Sequence, residues 1–151
     1  MADEQSLNTD LLLLPPNTFN AMVREAVLAG MPLCCSTVAS DDGPYEKANA
    51  GVVGFTGRNA RVVGLATQGA AARDRVHAQY SGLLKLTTAQ WDAITGGSGG
   101  LTRGDAYYVS ATTSGHLTTT APSGGGQFVS PVGIATSATT MRLVQPVAKS
   151  L

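Results

Sequence analysis

The chain has 151 residues, room for one domain or for two very small lobes and an arm. Hydrophobic residues make up an ordinary 43%, but only 13% are charged, and ten basic residues balance ten acidic ones. That balance leaves no basic footprint for neutralising phosphates, which argues against nucleic acid as a partner, and so neutral a surface favours association with other protein chains.

Residues 1–17 read as an extended arm: a polar start, then Leu11, Leu12, Leu13 and Leu14, then Pro15 and Pro16. Four leucines fall far short of the ~20 apolar residues of a membrane span. Asp3 and Glu4 stand where a secretory signal would be basic. The expectation is a protein made and kept in a cytoplasm, or released by lysis, with no membrane partner. The prolines disfavour helix just before them, and an exposed leucine run does not stay in water. The arm is therefore expected to dock on a neighbour or partner.

Residues 18–151 read as a β-domain. At its start, Phe19, Met22, Val23, Ala26 and Val27 fit helical spacing, with Asn17 or Thr18 as cap and Gly30 as stop. This predicts a short helix over 18–27, against the competing reading of a strand turning at Ala29-Gly30 into Met31–Ser36. Cys34 and Cys35 are adjacent, and a vicinal disulfide is strained, so both are read as buried, reduced thiols. Asp41-Asp42-Gly43-Pro44 is a turn signal. Arg61–Thr67 and Val76–Tyr80 read as strands either side of an alanine-rich loop, and Leu83–Leu86 continues the pattern.

A second helix is expected after Thr87, where Gln90 three residues on completes a capping box and Gly96-Gly97 ends the turn. Trp91 and Ile94 would anchor it in the core. Beyond it, Tyr107–Thr112, His116–Thr120, Phe128–Thr136 and Met141–Val144 read as short strands. Twelve of the seventeen threonines follow position 80, which favours strand over helix there.

An internal echo organises these pieces. The stretch from Ala29 through ARVVGLAT resembles the stretch from Arg103 through VSPVGIAT, with Gly30 matching Gly104 and Val63–Thr67 matching Val132–Thr136. The two degenerate copies, about residues 27–84 and 101–145, predict a mostly β fold. The expected form is a compact β-barrel or sandwich with one or two short helices and the N-terminal arm.

Candidate chemistry is sparse. His77 and His116 are the only histidines, with no HxxxH or CxxC spacing, so neither a zinc set nor a nucleophile–base pair can be assembled. No cofactor, metal or catalytic residue is assigned. GGSGG at 96–100 and GGG at 124–126 lack the GK[ST] or GxGxxG context of a phosphate loop and read as flexible connectors. Arg103-Gly104-Asp105 reads as an ordinary turn. Tyr107 and Tyr108 point to opposite sides of a strand, so at most one belongs to the core and the other is a candidate subunit contact. The interaction residues are thus Leu11, Leu12, Leu13, Leu14, Tyr107 and Tyr108.

The succession RVVGLAT, RVHAQYSGLLKL, WDAITGGSGGLTRGDAYYVS, GHLTTTAP and VSPVGIATSATTMRL, within residues 27–145, resembles small phage virion proteins: capsid decoration or cement proteins, head fibres and tail-fibre modules. The resemblance implies a compact β-domain, often trimeric, on the outside of a shell, with the major capsid protein and copies of itself as partners. It implies no catalytic residues. A head-fibre or tail-fibre module recognising a host surface is the alternative. A fibre normally carries a long repetitive shaft, and a chain ending at residue 151 favours the shell.

Overall fold

A computed structural model describes residues 17–36, 38, 43–51, 57–144 and the backbone of 149–150. Leu11 to Leu14 and the Asp41-Asp42 turn lie outside these residues.

Runs of β-branched and aromatic residues broken by glycine, serine and proline give short strands. The first five are β1 (Thr18–Met22), β2 (Pro32–Cys35), β3 (Tyr45–Lys47), β4 (Gly64–Ala66) and β5 (Arg75–Gln79). After β6 (Gly82–Lys85) comes helix α1 (Thr88–Thr95), then β7 (Ala106–Val109), β8 (Leu117–Thr118), β9 (Phe128–Val129), β10 (Pro131–Ala135), β11 (Thr140–Leu143) and β12 (Lys149–Ser150). The protein is mostly β, built on two five-stranded antiparallel sheets, with β9 and β12 forming a separate ribbon.

The first sheet has the order β1-β5-β4-β2-β3 and the second β6-β11-β10-β7-β8. Setting β9 aside, both read first, fifth, fourth, second, third. The matched glycine-bearing strands β4 and β10 are the central strands of their sheets. Their registers agree as well: Gly64 faces Leu33 and Gly133 faces Tyr107, while Leu65 faces Gln79 and Ile134 faces Arg142. The repeated strand order begins at β1 and β6, ahead of where the sequence echo becomes visible.

Each half is closed by the same clasp. Gly30 and Gly104 turn the chain at φ +84° and +90°, a left-handed conformation that suits glycine. The Gly30 N–H donates to the Ala66 carbonyl at 2.7 Å, and the Ala66 N–H donates to Met31 at 3.0 Å. In the second half the Gly104 N–H donates to Ala135 at 2.8 Å, and the Ala135 N–H to Asp105 at 3.0 Å. The threonine after each alanine adds a side-chain bond, Thr67 Oγ1 to the His77 carbonyl and Thr136 Oγ1 to that of Thr140.

The halves differ in what fills the connection between first and second strands. In the first, the chain beyond β1 rolls the sheet round: Val23 bridges Tyr45, and the Arg24 N–H donates to the Tyr45 carbonyl at 2.8 Å. This single bridge stops short of a closed barrel. In the second half α1 occupies that connection. Its capping box forms as expected, Gln90 N–H to Thr87 Oγ1 at 3.1 Å and Thr87 N–H to Gln90 Oε1 at 2.9 Å. Trp91 and Ile94 are fully buried, and Trp91 Nε1 donates to the Thr139 carbonyl at 2.9 Å.

One core runs through both halves. The turn at Gly30 packs against Leu86, Trp91 and Ile94 of the second half. The segment after β3 crosses over, with Ala50 N–H to Ser110 and Gly115 N–H to Ala48. Buried Asn49 donates from Nδ2 to Ser114 Oγ at 3.0 Å and accepts the Gly51 N–H at 2.7 Å, so its polar atoms are satisfied between the halves.

Two expectations are corrected. Residues 18–27 are not a helix: Thr18–Met22 pairs with β5 over five residue pairs, and buried Ala21 and Val23 alternate with outward Asn20, Met22 and Arg24. Apolar spacing there fits both periods, and pairing with β5 decides. Asn17 sits at φ +64° rather than as a helix cap. Phe128–Thr136 is not one strand either, because fully buried Ser130 separates β9, which pairs with β12, from β10.

The close approach at the central glycines is testable. A methyl on Gly133 would collide with the Arg142 carbonyl and Met141, whereas one on Gly64 would lie 3.0 Å from the Gln79 carbonyl. Gly133→Ala should cost about 1–3 kcal/mol in urea unfolding, as overpacking does, and more than Gly64→Ala.

Candidate functional site

The second sheet presents an open face. Residues directly opposite in antiparallel strands project to the same side, so Leu83, Arg142, Ile134 and Ala106 form one row across β6, β11, β10 and β7. Leu83 is 61% exposed and Ile134 47%. Tyr108, two residues from Ala106, continues this face toward β8, where it is paired with Thr118. The sheet's other face carries Leu84, Met141, Ala135, Tyr107 and Val109, all buried.

The equivalent row of the first sheet is Thr18, Gln79, Leu65 and Pro32. There Leu65 is only 2% exposed and Pro32 is buried. Leu65, Val63 and Tyr80 line a narrow groove together with Val132, Leu143 and Val144 of the second half. The same place in the fold is thus used internally in one half and left free in the other.

The two tyrosines divide as strand alternation requires. Tyr107 is core, and its hydroxyl accepts the Thr102 N–H at 2.9 Å. Tyr108 is half-buried on the open face. Leu83 and Ile134, which sequence reasoning did not single out, belong to the same face. The available signal was their position one residue off the buried Leu84 and Gly133.

Elsewhere the side chains assemble little chemistry. Among the described residues, no three His, Cys, Asp or Glu side chains gather around a metal position. Arg103, Gly104 and Asp105 are exposed in a turn closed by the Asp105 N–H on the Thr102 carbonyl, and Gly104 belongs to the clasp. The GGSGG segment is pinned rather than a free connector. Asp92 accepts the Gly99 N–H at 3.0 Å and the Gly100 N–H at 2.8 Å, so a carboxylate of the chain itself already takes these amides.

The cysteines are not alike. On β2 they point to opposite faces, which buries Cys34 and exposes Cys35, correcting the expectation of two buried thiols. Burial, and then the negative charge of Glu46, pushes the Cys34 thiol up to about 12. Native protein at pH 8 should therefore release one equivalent of thiol to a disulfide reagent, from Cys35, and a second only after denaturation. The Cys35→Ser variant should show none before unfolding.

Compared with protein-family models and with curated proteins, the chain matches none.

Proposed function

We propose that the protein is a structural component of a tailed-phage particle, a decoration protein that binds the outside of the capsid shell and stabilises it. Its partners are the major capsid protein and copies of itself, in the homotrimer that the sequence resemblance implies. The observation that carries the reading is the open face of the second sheet. It spans four strands and is apolar at Leu83 and Ile134, with exposed Arg142 between them, Lys85 on the same side of β6 as Leu83, and Tyr108 at its β8 side. Such a face suits protein contact, where aromatic residues and arginine are enriched.

The mechanism is differential binding. Contacts that exist only on the assembled lattice stabilise the lattice by mass action, without chemistry at any residue. The doubled architecture supports a mechanical role, since a core shared by two interlocked sheets presents the face without rearrangement.

Light scattering of the purified protein should give the mass of three chains, and the protein should co-sediment with undecorated capsids. Tyr108→Lys should weaken co-sedimentation about tenfold or more, equivalent to about 1.4 kcal/mol, while leaving the β circular dichroism unchanged. A strictly monomeric protein without lattice affinity contradicts the reading.

A further inference from the structure

Three turns of the fold share one backbone form, and one of them carries a residue that the form does not favour. Gly30 and Met31 together face Ala66, and Gly104 and Asp105 together face Ala135, through reciprocal backbone bonds. Just before β5, the Arg73 N–H donates to the Val23 carbonyl at 2.7 Å and the Val23 N–H donates to the Asp74 carbonyl at 3.0 Å, so Arg73 and Asp74 face Val23 in the same way. The turns leading in also match, with the Met31, Asp74 and Asp105 amides donating to the Leu28, Ala71 and Thr102 carbonyls. Each is a β-bulge whose first residue is left-handed, the position where glycine is usual. In the third it is Arg73, at φ +69°. Side chains held in that conformation are uncommon and cluster at ligand clamps and switch regions.

Contacts within the chain do not account for Arg73. It is exposed, and among the described residues its side chain enters no hydrogen bond or ion pair. Two more exposed arginines stand beside it. Arg75 opposes Met22, and Arg24, two residues on from Met22, projects to the same outward side. That diagonal places Arg24 and Arg75 about 7–8 Å apart, and Arg73 is two residues from Arg75. Arg24 makes one long bond, from Nη1 to Ser36 Oγ at 3.5 Å. The carboxylates nearby are engaged elsewhere: Glu25 holds Lys47 Nζ at 3.2 Å, and Glu46 accepts from Ser36 and Asn59. Asp74, between Arg73 and Arg75 in the chain, is exposed and paired with neither.

We propose that Arg24, Arg73 and Arg75 form a docking corner for a carboxylate-rich segment of a partner protein. A guanidinium group takes a carboxylate through two parallel hydrogen bonds, and three of them reach one corner here. The bulge fixes the backbone that carries Arg73 before the partner arrives, so less freedom is lost on binding. Three cations with Asp74 among them fall short of the basic stripe that a nucleic-acid backbone requires. Acidic protein is therefore the occupant. The corner belongs to the first sheet and leaves Leu83, Ile134 and Tyr108 of the second free. It does not depend on the virion reading, and its test needs no particle.

The test uses the full-length protein and a fluorescent octaglutamate peptide, followed by anisotropy. The peptide should bind, and its affinity should fall as salt is raised from about 50 to about 300 mM. Arg73→Gly should weaken binding at least fivefold and yet shift urea unfolding to a higher midpoint, because glycine relieves the left-handed strain. Arg75→Gln should weaken binding comparably without that shift. Arg73→Lys, which keeps the charge, should retain most of the affinity, and Arg103→Gln, in the glycine-bearing turn of the second half, should bind like the unaltered protein. Absence of peptide binding, or equal binding by the Arg73→Gly variant, overturns the proposal. An unchanged or lower urea midpoint for that variant removes its premise. Tighter binding of an oligothymidylate of the same charge overturns it in favour of nucleic acid.

Discussion

In each half of the chain, the amide of a left-handed glycine donates to the carbonyl of an alanine on the central strand, and the alanine's amide donates back to the residue after the glycine. The reciprocal pair locks the entry of the second strand against the exit of the fourth. It thereby sets the register of the sheet's middle, to which the outer strands add. Ala66 is fully buried and Ala135 nearly so, and a small residue there lets the turn approach closely. An L-residue in place of either glycine would strain the turn, since φ near +90° is costly for anything with a Cβ.

On this common scaffold the halves have taken different parts. The first rolls until Val23 meets Tyr45, and it turns the Leu65 face inward against Val132, Leu143 and Val144. The second places α1 between its first and second strands and leaves the corresponding face, with Ile134 in the place of Leu65, toward solvent. The first copy of this surface is covered within the chain, Leu65 being 2% exposed, whereas Ile134 in the second is 47% exposed. That exposed second copy is the surface through which the protein is proposed to act.

Much of the fold was legible in the amino-acid sequence because its determinants are local. The Thr87–Gln90 capping box and Gly96 define α1 without reference to anything distant. VGLAT and VGIAT announce equivalent strands because a central glycine, a small alanine and a threonine each do the same task twice. What was not legible rests on long-range pairing. Residues 18–27 carry spacing that fits a helix, and only the register with Arg75–Gln79 makes Thr18–Met22 a strand. The short Tyr45–Lys47 strand has no pattern of its own. The open face was half legible: alternation separated Tyr107 from Tyr108. Nothing local distinguishes Ile134 from Leu65, since their difference in exposure comes from how the halves pack. Asp92, holding the Gly99 and Gly100 amides, was hidden for the same reason, because a carboxylate seven and eight residues away converts a glycine-rich connector into a fixed loop.

The central claim is that both halves are built on the same clasp, and amide hydrogen exchange followed residue by residue by NMR tests it most directly. The amides of Gly30, Ala66, Gly104 and Ala135 should exchange together, among the slowest in the protein, through global unfolding alone. Exchange of Gly104 and Ala135 at the rate of the exposed Arg103 turn, with Gly30 and Ala66 protected, would contradict the account and leave only the first half clasped.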